Sequence, residues 1–415
     1  MQSKLHLGGR RFLRTLSVFA CLVLGTTATL AQDLALPGPH GAGKRTVTVT
    51  RPGGSTFSAL LYYPATTTGS DTPFDASAAP YGGIAFGHGF VQTVDAYEST
   101  LQHLATWGWF VIGATTQGGL FPTHQALADD MSHTLTWLEQ QDADTGSPYF
   151  GAIDTAAFGM TGHSMGGGAS ILAAAADPRV RALAPTAPAE TNPSAIAAAG
   201  SVLVPTRFVC GSQDGTVPTA SNGQLMYDAA GGPRQLLSIL GGWHCGFVDT
   251  PAFGGFGCDS GSIPRAEQLA IVRRHLTAFF RLHLDGVDSS WNSVWGPAAL
   301  LDATTSFQRD ADVRFTPNAA RKAGLADQVL DYELLVTNTG TRATSFQLYV
   351  ENGQWTTALS APATPVLAPG GTATVHVLVT IPAVSALPTD RCLVSARSDL
   401  DGHTRGYARL GSRRL

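Results

Sequence analysis

The sequence predicts an α/β protein with an all-β appendage: a largely parallel sheet with helices on both faces, then a β-sandwich. Three observations carry this. Apolar runs alternate with helical patterns from about residue 83 to residue 284, as a parallel sheet with crossover helices requires. The stretch Gly162-His163-Ser164-Met165-Gly166 stands between an apolar run at 156–160 and a small-residue helical run at 169–176. From about Arg309 no convincing helix remains, and roughly 100 residues of short alternating strands separated by turns suggest a sandwich.

The elements follow in order. The first 31 residues carry Lys4, Arg10, Arg11 and Arg14 but no acid. An apolar run at 16–24 and Thr29-Leu30-Ala31 complete the pattern of a secretory signal peptide, cut after Ala31. That run is short against the roughly 20 residues of a membrane span, so no membrane association is expected after cleavage. The remainder divides into an α/β region at 32–304 and a β-region at 305–415. Residues 34–44 are Gly/Pro-rich. The runs 45–50 and 56–63 flank the turn Arg51-Pro52-Gly53-Gly54 and read as a hairpin. A buried strand at 83–86 ends in Gly87-His88-Gly89-Phe90. A helix at 96–106, a strand at 109–114 and a long amphipathic helix at 124–141 follow. Beyond the serine stretch lie strands at 182–185, 206–210 and 235–240, a helix at 222–230, and a last helix from Ser262 and Pro264 to about Leu284. In the β-region, Tyr332, Leu334 and Val336 alternate with polar neighbours, as do Phe346, Leu348 and Val350 and the run 375–381.

Composition narrows the function. The chain is 44% hydrophobic and 13% charged, which suits a globular protein. Removing 1–31 leaves 22 basic residues (26 less four) against 30 acidic ones. No basic stripe points to nucleic acid. No close Cys/His pairs have zinc-ligand spacing, and no cofactor motif is present. Nothing points to an oligomer, so the chain is read as a monomer. Export permits disulfides, and Cys210, Cys245, Cys258 and Cys392 remain after cleavage. Closing the loop between Cys245 and Cys258 is worth about 3 kcal/mol, and this pair is favoured. Cys210 with Cys245 is the competing pair.

The serine stretch has the spacing of a nucleophile elbow. A serine hydroxyl is a weak nucleophile until a base takes its proton and a carboxylate orients that base. Asp214 follows the strand 206–210, and His244 follows the strand 235–240. Both therefore sit at carboxyl ends of strands, where an open α/β sheet places its ligands, and in the order this topology needs. Other histidines fit less well. His163 adjoins the nucleophile and is read as packing under the turn, and His88 as holding its loop. His275 and His283 lie on the last helix, and His376 and His403 in the β-region. Asp249 and Asp259 come after His244, in the wrong order. Two backbone N–H donors should face the oxyanion of a tetrahedral intermediate: Met165 after the nucleophile, and Phe90 after the early strand. Only a short segment separates the strands on either side of 186–203, too little for a helical cap, so an open groove suited to bulky or polymeric esters is expected.

With these residues in place, the region 45–285 resembles the bacterial polyester-degrading cutinases and the wider dienelactone hydrolase-like group. The resemblance rests on Gly162-His163-Ser164-Met165-Gly166-Gly167-Gly168, Asp154-Thr155, Val204-Pro205-Thr206 and Gly211-Ser212-Gln213-Asp214. It implies Ser164 as nucleophile, Asp214 as orienting acid, His244 as base, and Phe90 and Met165 as oxyanion donors. Those cutinases carry a tryptophan after a proline in the loop beyond the next strand. Here Pro188 is followed by Ala189. Trp243 also replaces a small residue beside the histidine. Phe90, Met165, Ala189 and Trp243 are accordingly the expected substrate contacts. The β-region resembles the immunoglobulin-like modules of secreted bacterial hydrolases, on Val336-Thr337-Asn338-Thr339-Gly340 and Leu367-Ala368-Pro369-Gly370-Gly371. The leading reading is a secreted serine carboxylester hydrolase. A lipase or acetylhydrolase-type esterase, a serine peptidase and a non-catalytic surface-binding protein are the alternatives.

Overall fold

The computed structural model describes residues 33–255, 258–384 and 387–415. The expected signal peptide lies outside them. Ten strands form one sheet: β1 (Gly41–Thr50), β2 (Thr56–Ala65), β3 (Gly69–Ser70), β4 (Tyr81–Gly87), β5 (Phe110–Ala114), β6 (Ile153–His163), β7 (Val180–Thr186), β8 (Thr206–Gly211), β9 (Arg234–Ile239) and β10 (Thr305–Asp310). Their order is β10-β9-β8-β7-β6-β4-β5-β2-β1-β3. The central run from β9 to β5 is parallel, with antiparallel strands at each end. The helices are α1 (Glu98–Thr106), α2 (His124–Ala143), α3 (Met165–Ala176), the short α4 (Ala195–Ala199), α5 (Gly223–Ala229), α6 (Arg265–His283) and two single turns, α7 (Trp291–Val294) and α8 (Pro297–Leu300).

The alternation of side chains along the strands sends apolar groups to both faces. Ile84, Phe86 and Val111 pack with Leu101, Leu104, Leu276 and Phe280 of α1 and α6. Ala85, Ile112, Phe158 and Met160 pack with Leu127, Met131, Leu135 and Ile171 of α2 and α3. This double burial is why the strands read as continuous apolar runs.

Two details differ from the sequence reading. Strand β1 starts at Gly41, inside the Gly/Pro-rich stretch, because its ladder with β2 runs unbroken from Gly41 opposite Ala65 to Thr50 opposite Thr56. Gly43 is needed there: a Cβ would lie 2.3 Å from the Tyr63 ring. Strand β10, where the β-region was expected to begin, instead extends the large sheet alongside β9.

Beyond it lie two four-stranded sheets, a β-sandwich. One contains β11 (Val313–Thr316), β13 (Val329–Asn338), β15 (Thr357–Leu359) and β16 (Thr372–Thr380). The other contains β12 (Ala319–Gly324), β14 (Phe346–Glu351), β17 (Thr389–Ser398) and β18 (Arg405–Arg414). Tyr332, Leu334, Val336, Val375 and Val377 from the first meet Phe346, Leu348, Val394, Ala396 and Leu410 from the second. The same apolar cluster runs through Trp291 and Trp295 into the α1/α6 layer. Arg405 ties the two parts together, donating to Asp288 at 2.6 Å. Among the described residues no helix is long and apolar enough to cross a membrane.

Candidate active site

Strand β6 delivers its last residues into a sharp turn, and α3 begins at once at Met165. Ser164, between them, has φ 56° and ψ −119°, a conformation a serine adopts only under constraint. The constraint is visible. Ser164 N donates to Thr186 O, and Ser164 O accepts from Gly168 N and Ala189 N, each at 3.0 Å. A Cβ on Gly166 would lie 2.1 Å from Gly87 O, and one on Gly162 would lie 2.3 Å from Gly166 O. The glycine spacing thus lets α3 cross directly over the end of β4. Met165, as the first helical residue, presents an amide without an intrahelical acceptor.

Asp214 and His244 leave the ends of β8 and β9, neighbours on one side of β6 in the sheet. His244 Nδ1 lies 2.8 Å from Asp214 Oδ2. A carboxylate only accepts, so Nδ1 carries the proton and Nε2 is the basic nitrogen. Both groups are buried. The other carboxylate oxygen, Oδ1, accepts from Thr216 N (3.1 Å) and Val217 N (2.6 Å), which locks the acid's rotamer.

The loop after β4 faces this rim from the other side. The ring of His88 is buried, and its Nε2 bonds to Thr116 O at 2.7 Å, holding the loop. Phe90 is half exposed at 47%. Ala189 sits on the amide that bonds Ser164 O. The ring of Trp243 lies under the Arg265 guanidinium, 5.1 Å away, and against Gly261. Its amide donates to Gln268 Oε1 at 2.9 Å, which ties His244 to α6.

Cys245 and Cys258 form the disulfide favoured from the sequence, while Cys210 and Cys392 are free and buried. Asp259, Asp249 and Tyr97, which sequence order had set aside or passed over, surround it and the histidine. The bond places Asp259 so that its carboxylate accepts from His244 N (2.9 Å), Gly215 N (3.0 Å) and Cys245 N (3.2 Å). Asp249 accepts from Ser99 N (2.7 Å) and Ser99 Oγ (2.5 Å), stitching the histidine loop to the start of α1. Tyr97 Oη accepts from Gly89 N at 3.0 Å and is hydrogen-bonded to His163 Nδ1 at 2.9 Å. The His163 ring packs on that of His244, with centroids 4.5 Å apart. Burial, then the adjacent His244, holds His163 well below the usual histidine pKa, so it is a neutral spacer. Only the cysteine beside Asp259 hinted at its role, and no spacing marked Tyr97.

A mostly parallel sheet with a serine on a strained strand-to-helix turn, and a histidine–aspartate pair at the neighbouring strand ends, defines an α/β-hydrolase. The chain matches the PETase family model, described as PET hydrolase-like, over residues 22–251. That is more than half its length, and the chain belongs to this family. It is also similar to a bis(hydroxyethyl) terephthalate hydrolase of Streptomyces coelicolor, with 29% identity over 210 residues, covering 49% of this chain and 59% of that protein. Lipase 1 of a Moraxella species is 26% identical over 223 residues, covering 52% of this chain and 62% of the lipase. The chain thus spans about three-fifths of the length of each relative.

Proposed function

We propose that the chain is an exported serine carboxylester hydrolase of the cutinase and polyesterase kind, with Ser164 as nucleophile, His244 as general base and Asp214 as the acid that orients it. His244 Nε2 takes the proton as Ser164 Oγ attacks the ester carbonyl. The oxyanion that forms is held by the amides of Met165 and Phe90. His244 then protonates the departing alcohol, leaving an acyl group on Ser164. Water, activated by the same histidine, releases the carboxylic acid and restores the serine. Asp214 stabilises the imidazolium throughout, through the 2.8 Å bond to Nδ1. That bond, beside a serine at φ 56°, is the observation that carries the reading.

The substrate class follows from the entrance. Among the described residues, α4, five residues long, is the one helix between β7 and β8, so no helical lid is inserted there. Exposed apolar side chains stand on the loops that leave the carboxyl ends of two neighbouring parallel strands: Phe90 after β4, and Leu120 and Phe121 after β5. An open, apolar rim suits an insoluble or polymeric ester, and the relative named for a terephthalate ester points the same way. Lipid esters are the second reading, favoured by the relative named as a lipase. The β-sandwich is proposed as an accessory module.

The test assays the chain on p-nitrophenyl esters of rising length, a polyester film, a triglyceride emulsion and a peptide amide, beside Ser164→Ala. Ester turnover that vanishes in the variant is expected, with film hydrolysis exceeding emulsion hydrolysis. Turnover of the amide alone, or none of any substrate, overturns the reading.

A further inference from the structure

The sandwich carries a feature that the ester chemistry does not use. On the outer face of its second sheet, register places Leu393, Arg409 and Ala319 side by side. Arg391, Gly411 and Arg321 form the next same-face row, and Thr389, Arg413 and Ala323 the one after. Four arginines therefore stand in a diamond around Gly411. From strand geometry the diamond measures about 13 Å along β18 and about 10 Å across three strands. Gly411 forms its floor, where a Cβ would lie 3.3 Å from Arg321 Cγ. The result is a hollow of about 600 Å3 lined by Ala319, Arg321, Arg391, Leu393, Arg409 and Gly411, adjoining one of about 410 Å3 that reaches Arg413.

Like charges on adjacent positions of a sheet face repel, and here nothing offsets them. Among the described residues no carboxylate lies within ion-pair distance of these four guanidiniums. The nearby acids are already engaged. Glu351 accepts from Arg405 Nη1 (3.0 Å) and Ser395 Oγ (2.5 Å). Asp390 accepts from the amides of Gln354 (3.0 Å) and Trp355 (3.1 Å). The cluster is not a by-product of a basic chain either, since acids outnumber Lys and Arg 30 to 26.

We propose that this face binds an extended polycarboxylate, an acidic polysaccharide of the polyuronate type. Guanidinium forks match carboxylates in two-pronged pairs. Ala319, Leu393 and the arginine stems supply an apolar floor for sugar rings. The diamond spans more than one monomer, which suits a polymer with a carboxylate on each sugar. Nucleic acid fits less well. A duplex carries a charge every ~1.7 Å, far more than four cations over this length can match. Single strands are held by base stacking on aromatic side chains, and the residues lining the hollow include none. This inference goes beyond the ester-hydrolase reading and does not depend on it.

The test uses the full chain and polygalacturonate as probe, with neutral dextran and duplex DNA as comparisons. Binding is followed by calorimetry across a sodium chloride series. The chain is expected to bind polygalacturonate, more weakly as salt rises, and to ignore dextran. Arg391→Gln with Arg409→Gln, and separately Arg321→Gln with Arg413→Gln, should each weaken binding on the order of tenfold through lost charge-assisted contacts. Melting temperature and p-nitrophenyl ester turnover should stay unchanged. Either pair suffices if the other perturbs folding. No binding by the wild type, equal binding by folded variants, or tighter binding of DNA than of polygalacturonate overturns the proposal.

Discussion

Replacing Asp259 by alanine tests how the proposed base is held. Its carboxylate accepts from Gly215 N, next to the proposed acid, and from His244 N and Cys245 N. One side chain thus clamps both partners of the His244–Asp214 bond. Hydrogen bonds to a charged group contribute about 1.5–3 kcal/mol each. Asp259 is half-buried and the Gly215 amide is exposed, so water can replace that contact and the lower figure applies to the other two. The loss is then about 3 kcal/mol. If half of it appears as misplacement of His244 in the transition state, the barrier rises by about 1.4 kcal/mol, a roughly tenfold fall in kcat. A displacement of a full ångström carries this to about a hundredfold. KM should change little, because Asp259 does not approach Ser164 through any bond described above. The assay is steady-state hydrolysis of p-nitrophenyl butyrate by the oxidised protein, with a thermal melt beside it. Asp259→Asn keeps one oxygen acceptor and should fall between. A lower melting temperature with wild-type kcat in Asp259→Ala would refute the clamp and leave Asp259 a purely stabilising residue.

Other consequences follow from the same contacts. Tyr97→Phe removes the hydroxyl between Gly89 N and His163 Nδ1 and leaves two buried polar groups unpaired, at about 1–3 kcal/mol; kcat should drop several-fold with KM nearly constant, measured on a soluble ester. Replacing Cys245 and Cys258 by serine opens a loop with a sequence separation of 13, worth about 3 kcal/mol; the melting temperature and kcat should both fall, and dithiothreitol should reproduce this in the wild type. Burial, then the neighbouring Asp310, raises the Asp312 carboxyl to about 7. The unfolded value is near 4, so the folded state binds more protons between about pH 4 and 7, and stability falls as pH rises through that window. Asp312→Asn should flatten that slope and leave the protein more stable above pH 7 by roughly 1 kcal/mol after solvent screening, read from melts between pH 4.5 and 8.

The elbow was legible because it is a local backbone requirement: Gly162 and Gly166 must be bare for α3 to cross β4. Asp214 and His244 were legible because each follows an apolar strand and strand order fixes the rim. Residues that act only through tertiary contact were not. Asp259 was set aside for following the histidine, yet the Cys245–Cys258 closure brings it back to His244 N. Trp243 was read as a substrate contact, and its packing under Arg265 is a tertiary contact that spacing does not announce. The composition change before residue 305 marks the approach to the sandwich, but β10 still pairs with β9, because edge pairing leaves no signature in composition. The arginine diamond gathers positions 321, 391, 409 and 413, which no window along the chain would connect.

The central claim is that Ser164 carries the acyl group. Acid quench of the enzyme during turnover of a p-nitrophenyl ester, followed by peptide mass spectrometry, tests it directly. The account predicts a burst of p-nitrophenol, an acyl adduct on the peptide containing Ser164, and neither in Ser164→Ala. An adduct on another residue, or undiminished turnover by Ser164→Ala, would contradict it.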